Sequence, residues 1–308
     1  MRHRVNPTST PWHLASTTRD TVGECPVWHV ATQALFWVDI EGQRIHRLDW
    51  ASRQQASWSV PERVGCIAMS TRGTVIAAME SGIFELALTD APTAQVTRLA
   101  TVAHPQANMR FNDGRCDAQG RFWAGTMVQD MRLASPAGGI YCFDENGLRG
   151  PLLQGYITPN GMAFSPEGNT AYLSDSHPTR LKIWQHSFNG TDGSWGPQVE
   201  WVNMAEHPGR PDGAAVDADG CYWICGIDAG QLHQFSPQGE LLQSIALPMS
   251  KPTKCAFGGP ELRHLFVTSL QPAAPTQGFD ASLDGALLVL EPGVQGLPEP
   301  LFSRFPVR

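Results

Sequence analysis

A short apolar segment, a polar turn and a second segment rich in aromatic residues recur six times along this chain. The copies repeat at intervals of roughly 40 to 52 residues, and they begin at Gly23, Gly65, Asn112, Asn160, Asp212 and Thr253. Each interval holds about four segments of strand length, which is the repeat of a β-propeller blade. The sequence therefore predicts an all-β fold, a six-bladed β-propeller in which equivalent residues of every blade surround one central axis.

The repeats fill the chain, so we assign residues 1–308 to a single propeller domain, although length alone suggests about two domains. We expect residues 1–11 to be a flexible N-terminal extension. The pair Asp219-Gly220 between two strand-like segments predicts a hairpin. Residues 128–135 and 271–284 are predicted to be longer loops, and helical periodicity is nearly absent.

Composition excludes several classes of function. The net charge is −7 and basic residues are scattered, which argues against binding to nucleic acid. No apolar stretch is long enough to span a membrane, and the first twenty residues lack the apolar core of a secretory signal. The seven cysteines are odd in number and irregularly spaced, so we expect free thiols and a cytoplasmic location. We expect a monomer or a weak homodimer.

Polar residues recur at one position of the first strand in four blades, each five residues before the residue that opens the first hairpin turn. These residues are Glu24, Asn112, Asn160 and Asp212. Two carboxylates and amide oxygens at the mouth of a central channel form the all-oxygen site that hard divalent cations prefer, so we predict a central metal site. Asn-Gly and Asp-Gly are also common turn pairs, and the residues alone leave that interpretation open. The other two blades offer Gly65 or Cys66 and Thr253, which are poor ligands.

The third blade has Arg110 two residues before Asn112, so both side chains point to the same face of a strand. Such a pair can bind the hydroxyls of a polar ligand, and the alternative is an arginine with a solvated head. Asp175 is a candidate to orient the metal ligands, whereas His104 and His177 are expected to be structural. The sequence lacks the GxSxG, HExxH, P-loop and Rossmann motifs.

Five segments together resemble the gluconolactonase and regucalcin family, which is also called the senescence-marker-protein and luciferin-regenerating-enzyme family. They are GECPVW from Gly23, FNDGRCDAQGRFWAGTM from Phe111, PNGMAFSPEG from Pro159, PDGAAVDADGCYW from Pro211 and KPTKCAFGGP from Lys251. The similarity extends from about Trp12 to the C-terminus. It implies a six-bladed propeller with one catalytic divalent cation.

The resemblance also implies roles for individual residues. Glu24, Asn160 and Asp212 would hold the metal, while Arg110 and Asn112 would contact a sugar lactone. Two positions depart from the family pattern. Cys25 stands where glycine is common, which would make the pocket rim tighter or open to oxidation. Asp130 stands where some relatives place a glutamate that touches substrate, and we assign it a substrate-binding role on that basis.

We therefore expect a metal-dependent sugar lactonase that opens a glucono-, galactono-, arabinono- or xylono-lactone to its aldonic acid. The cation, which is calcium, zinc, manganese, magnesium or iron(II), would polarise the lactone carbonyl. Asp212 would also act as the catalytic residue that takes a proton from the attacking water. Hydrolysis of another ester at the same site and a non-catalytic calcium-binding propeller are the alternatives.

Overall fold

The computed structural model describes residues 10–306, in which the strands form six antiparallel sheets arranged as blades. A short strand, β1 (Trp12–Leu14), precedes the first blade. The first blade contains β2 (Gly23–His29), β3 (Ala34–Asp39), β4 (Arg44–Asp49) and β5 (Gln55–Ser59). The second contains β6 (Val64–Met69), β7 (Val75–Met79), β8 (Gly82–Ala87) and β9 (Gln95–Thr101). The third contains β10 (Met109–Cys116), β11 (Phe122–Val128), β12 (Gly138–Asp144) and β13 (Gly147–Tyr156).

The remaining blades follow the same order, with one addition in the fourth. That blade contains β14 (Pro159–Phe164), β15 (Thr170–Asp175), β16 (Lys182–Asn189), the two-residue β17 (Ser194–Trp195) and β18 (Val199–Asn203). The fifth contains β19 (Arg210–Val216), β20 (Tyr222–Ile227), β21 (Gln231–Phe235) and β22 (Leu241–Ala246). The sixth contains β23 (Pro252–Gly258), β24 (His264–Ser269) and β25 (Leu288–Leu290). Short 3-10 helices cover Val30–Thr32, Met131–Leu133, Met204–Glu206 and Ala281–Leu283.

The sixth blade is completed by the N-terminal strand. β1 pairs antiparallel with β25, with Trp12 opposite Leu290 and Leu14 opposite Leu288. The first and last strands therefore lie in one sheet, which closes the circle of blades. Of the predicted N-terminal extension, residues 1–9 lie outside the described residues.

The first strand of each blade faces the axis, and these six inner strands form a closed ring. β2, β6, β10, β14, β19 and β23 each contact the next, and β23 contacts β2. Each inner strand also shows a register shift against the second strand of its own blade, after its first few residues. β-Bulges of this kind re-aim side chains beside active sites. We call the end of the channel where the inner strands begin the upper end.

The C-terminal segment, residues 291–306, crosses the lower end of the channel. Its backbone bonds in turn to the fifth, sixth, second and third blades, through Gln295 to Ala218, Gly296 to Leu262, Phe302 to Met69 and Ser303 to Gly120. Glu299 of this segment accepts a hydrogen bond of 2.8 Å from Arg115 of β10, and both side chains are largely buried. The segment therefore blocks the channel from below.

The structure confirms several sequence predictions. Residues 128–135 and 271–284 contain no strand beyond Val128 and only short 3-10 helices. Asp219-Gly220 lies in the hairpin between β19 and β20, where Gly220 has a φ of +80°. All seven cysteines are free and buried. Within residues 10–306, none of the helices has the length and apolar character needed to cross a membrane.

Candidate active site

The bulges place the predicted polar residues inside strands and near the upper end of the channel. Asn160-Gly161 lies within β14 and Asp212-Gly213 within β19, so the interpretation of these pairs as turns is wrong. Gly161 has a φ of +62°, and a Cβ there would lie 2.5 Å from the Tyr222 hydroxyl. Glycine is therefore required for close packing behind the site, and the sequence pair reflects that constraint.

Asn160 and Asp212 are in direct contact across the fourth and fifth blades. The Asn160 amide nitrogen donates a hydrogen bond to Asp212 Oδ1 and another of 3.0 Å to Ser176 Oγ. Ser176 Oγ also lies 2.8 Å from Asp212 Oδ1 and 2.6 Å from the Pro211 carbonyl oxygen. Ser176 thus links both candidate ligands, a role that sequence reasoning missed.

Glu24 approaches the same site from the first blade. Its carboxylate accepts a hydrogen bond of 2.8 Å from the backbone nitrogen of Cys25, and the side chain is buried. Burial, together with the charge of Asp212, raises the pKa of Glu24 to about 8. Burial likewise raises the pKa of Asp212 to about 7, although Arg210 and the bond from Ser176 oppose the shift.

The raised pKa values of Glu24 and Asp212 bear on whether these residues fit the divalent cation that the family resemblance implies. Two buried carboxylates repel each other, and within residues 10–306 no lysine, arginine or histidine forms an ion pair with either one. A divalent cation between them would remove that repulsion, and carboxylate and amide oxygens are donors that hard cations accept. Among the described residues no cluster of three His, Cys, Asp or Glu side chains is present, so the amide of Asn160 has to complete the donor set. The residues therefore fit a single divalent cation.

Arg110 and Asn112 share one face of β10, as predicted. Arg110 Nη1 donates hydrogen bonds of 2.8 Å to Asn112 Oδ1 and to the Phe111 carbonyl oxygen. The Asn112 amide donates a bond of 3.1 Å to the Pro159 carbonyl oxygen, next to Asn160. Burial lowers the pKa of Arg110, and the charges of Glu41 and Glu24 partly oppose this. The arginine head is therefore positioned beside the candidate metal site rather than free in solvent.

A buried ion pair lies at the next position of the inner strands, and sequence reasoning missed it. Lys254 of β23 forms an ion pair with Asp113 of β10, and both side chains are about 2% exposed. Burial alone would lower the pKa of Lys254, but the attraction of Asp113 more than reverses this, so the ammonium group is charged. The sequence did carry a signal for this pair. Lys254 directly follows Thr253 just as Asp113 follows Asn112 and Cys25 follows Glu24, so the three residues hold equivalent positions in their blades.

Cys25 has a φ of +46°, a conformation that favours glycine. The positive φ explains why glycine suits this position, and a cysteine adopts the same conformation only with backbone strain. The thiol does not lie on the rim: its sulfur accepts a hydrogen bond of 3.3 Å from the Ile67 nitrogen and lies 3.9 Å from Lys254 Nζ. Burial raises the pKa of the Cys25 thiol to about 11, so the group stays protonated near neutral pH.

The other candidate residues lie outside this cluster. Both oxygens of Asp130 accept hydrogen bonds of 2.8 Å from Arg132 on a half-exposed loop, so contact with substrate stays a prediction. Asp175 does not bond the candidate ligands but accepts hydrogen bonds from the backbone nitrogens of residues 157, 158 and 177. His104 and His177 bond Glu80 O and Thr179 Oγ1, and their structural roles stay predictions.

Comparison with known proteins identifies a matching family. The family model described as the SMP-30/Gluconolactonase/LRE-like region matches residues 22–271. The chain belongs to this family. Within the SMP-30/gluconolactonase family, it is 38% identical over 284 residues to 6-deoxy-6-sulfogluconolactonase of Pseudomonas putida, an alignment that covers 92% of this chain and 95% of that protein. It is 31% identical over 252 residues to regucalcin of Xenopus laevis, covering 80% of this chain and 83% of the relative.

The fold is also similar to that of solved members of this family. A luciferin-regenerating enzyme superposes with a TM-score of 0.89 at 26% identity, covering 96% of this chain and 100% of that one. The predicted family resemblance and the six-bladed propeller are therefore confirmed. The family to which this chain belongs includes proteins named as sugar lactonases, among them the sulfogluconolactonase of Pseudomonas putida.

Proposed function

We propose that this protein is a metal-dependent sugar lactonase that hydrolyses an aldonolactone to its aldonic acid. The observation that carries the proposal is the pair of buried carboxyl groups, Glu24 and Asp212, whose raised pKa values show that their charged forms lack a compensating cation. Glu24, Asp212 and the amide of Asn160 would hold that cation. When bound, it would supply Lewis-acid polarisation of the lactone carbonyl and stabilise negative charge on the carbonyl oxygen.

Asp212 is the group placed to move protons. A carboxyl group accepts a proton only in its ionised form, and although burial raises the pKa of Asp212 to about 7 without metal, a cation bound beside it would favour the ionised form. In the proposed reaction a water molecule attacks the carbonyl carbon and Asp212 takes its proton. The bond between the carbonyl carbon and the ring oxygen then breaks, and the ring oxygen receives the proton. Ser176 fixes the carboxylate through its contact of 2.8 Å with Oδ1.

Arg110 and Asn112 would bind and orient the sugar. Their mutual hydrogen bond fixes both heads, so little conformational freedom is lost when a ligand binds. The remaining donors of the guanidinium group suit hydroxyl or anionic oxygens. The position of both residues beside Asn160 would place the sugar ring next to the carboxylates.

We infer further that an anionic substituent on the lactone improves binding. Within the described residues, Arg110 hydrogen-bonds only neutral acceptors, the Phe111 carbonyl and the Asn112 amide oxygen. A half-buried guanidinium group without a carboxylate partner favours a ligand that brings negative charge. The relative with 38% identity is a 6-deoxy-6-sulfogluconolactonase, which supports the same substrate class.

The test is a lactonase assay on chelator-treated protein that is then supplied with one divalent ion at a time. The panel contains neutral aldonolactones, a sulfonated gluconolactone and aryl esters, and spontaneous opening is subtracted. Restored lactone hydrolysis with a preference for the sulfonated substrate is expected. Arg110→Gln should remove the preference for the sulfonated lactone while keeping part of the activity on neutral ones.

Two results would overturn the proposal in different ways. Metal-restored hydrolysis of aryl esters but of no lactone would favour the other ester hydrolase. A thermal shift on addition of calcium without hydrolysis of any substrate in the panel would favour a calcium-binding propeller.

A further inference from the structure

The ammonium group of Lys254 lies in a cradle of electron-rich atoms inside the channel. It donates to Asp113 Oδ1 and, at 3.2 Å, to the Gly114 carbonyl oxygen, and it lies 3.9 Å from Cys25 Sγ. Carboxylate and carbonyl oxygens are also the ligands of hard metal cations. The ammonium group therefore occupies the kind of position that a metal ion would take.

The cradle is built by several blades. A Cβ at Gly213 of the fifth blade would overlap Cβ and Cγ of Lys254, so glycine there leaves the space for the lysine side chain. Asp113 is fixed by hydrogen bonds of 2.8 Å from the backbone nitrogens of Gly114 and Met162. Its carboxylate would stay in the channel if the lysine were removed.

The charges of the channel match one divalent ion. Glu24, Asp113 and Asp212 are buried carboxylates, and the ammonium of Lys254 faces Asp113. When all four groups are ionised, their net charge is −2. One divalent cation neutralises that charge, whereas a second would bring the net charge to +2 in a buried site, against only +1 when the ammonium is absent.

We propose that Lys254 is an internal counter-ion that fills a second cation position and limits this protein to one divalent ion. The inference rests on the metal site of the proposed function. Without the ammonium group, Asp113 Oδ1 and the Gly114 carbonyl oxygen lose a partner in the channel interior. A divalent cation with its water ligands satisfies both atoms, so a lysine-free channel holds two ions.

The experiment is a calorimetric titration of chelator-treated protein with Mn²⁺, together with measurement of bound manganese after gel filtration. The wild-type protein is expected to bind one ion and Lys254→Ala two. The double variant Lys254→Ala/Asp113→Asn should return to one ion, because the second carboxylate is gone. Lys182→Ala, which removes an exposed lysine paired with Glu200, is the matched control and should bind one ion.

A second variant keeps the inference testable if Lys254→Ala does not fold. Asp113→Asn leaves the ammonium unpaired near the upper site, and Mn²⁺ affinity should fall by about tenfold or more. One ion per chain in a folded Lys254→Ala variant, or unchanged Mn²⁺ affinity in Asp113→Asn, would overturn the role of Lys254 but not the metal site. A wild-type protein that binds no Mn²⁺ would overturn the metal site and this inference with it.

Discussion

Lys254 and Asp113 form an ion pair across the central channel, between the sixth and third blades, which lie opposite one another in the ring. The pair connects the two halves of the propeller beneath the candidate metal site. Burying two charges is costly, and the attraction between them offsets that cost only when the geometry is good. The bonds from Gly114 and Met162 to Asp113 supply that geometry.

Asp212→Asn should reduce kcat for lactone hydrolysis by about 10² to 10⁴-fold, because both the proton acceptor and one metal ligand charge are lost. Steady-state kinetics at saturating metal would measure the effect. Asp219→Asn changes an exposed aspartate of the same blade and should leave kcat unchanged. Full metal-dependent activity in a folded Asp212→Asn protein would exclude the assignment.

Metal affinity should rise with pH between about 6 and 9. The pKa of Glu24 is raised from 4.5 to about 8 and that of Asp212 from 3.8 to about 7, so both groups lose protons when a cation binds below these values. Calorimetry in two buffers with different ionisation enthalpies would count the protons released. The number should fall toward zero at pH 9, and release that does not vary with pH would contradict the prediction.

The stability of the metal-free protein should change in the opposite direction. Because the pKa of Glu24 is higher in the folded state than in the unfolded state, its contribution is complete below about pH 4.5 and is lost as pH rises through about 8. Thermal unfolding in the presence of a chelator would show this decline. The Glu24→Gln variant, which cannot ionise, should lose less stability over the same range; an identical decline in both proteins would contradict the role of Glu24.

Ser176→Ala should affect the pH profile more than substrate binding. The hydrogen bond from Ser176 lowers the pKa of Asp212, so its removal should raise that pKa and move the acid limb of kcat/KM to higher pH. At pH 7 we expect kcat to fall roughly tenfold with little change in KM. Ser187→Ala on the exposed side of β16 is the control, and an unshifted acid limb in Ser176→Ala would show that the contact is only structural.

Asp217→Ala should destabilise the fold by about 3 kcal/mol, because several buried donors lose their acceptor. Asp217 is fully buried and accepts hydrogen bonds of 2.8 Å from the Trp223 indole and 3.0 Å from Gln234. Chemical denaturation would measure the loss. Metal stoichiometry in the variant should equal that of the wild type, and a loss of bound metal without loss of stability would contradict this structural role.

The sequence predicted most of the fold because the repeat is local and each blade is a meander of neighbouring strands. It did not predict β1 in the sixth blade, since pairing Trp12 with Leu290 depends on closure of the whole ring. Spacing placed Glu24, Asn160 and Asp212 together because equivalent positions converge on the axis. It missed Ser176, whose contacts with Asn160 and Asp212 no local pattern encodes, and Lys254, whose equivalent offset was present but whose partner lies across the channel.

The blocked lower end of the channel makes the candidate site a dead-end pocket. Below Lys254, the space lined by Cys25, Arg115 and Glu299 has a volume of only about 10 Å³, which is room for about one water molecule. In the proposed reaction, lactone and aldonic acid must therefore use the same opening in opposite directions. The product has to leave before the next lactone can enter, so the two should compete for one position and inhibition by product should be purely competitive.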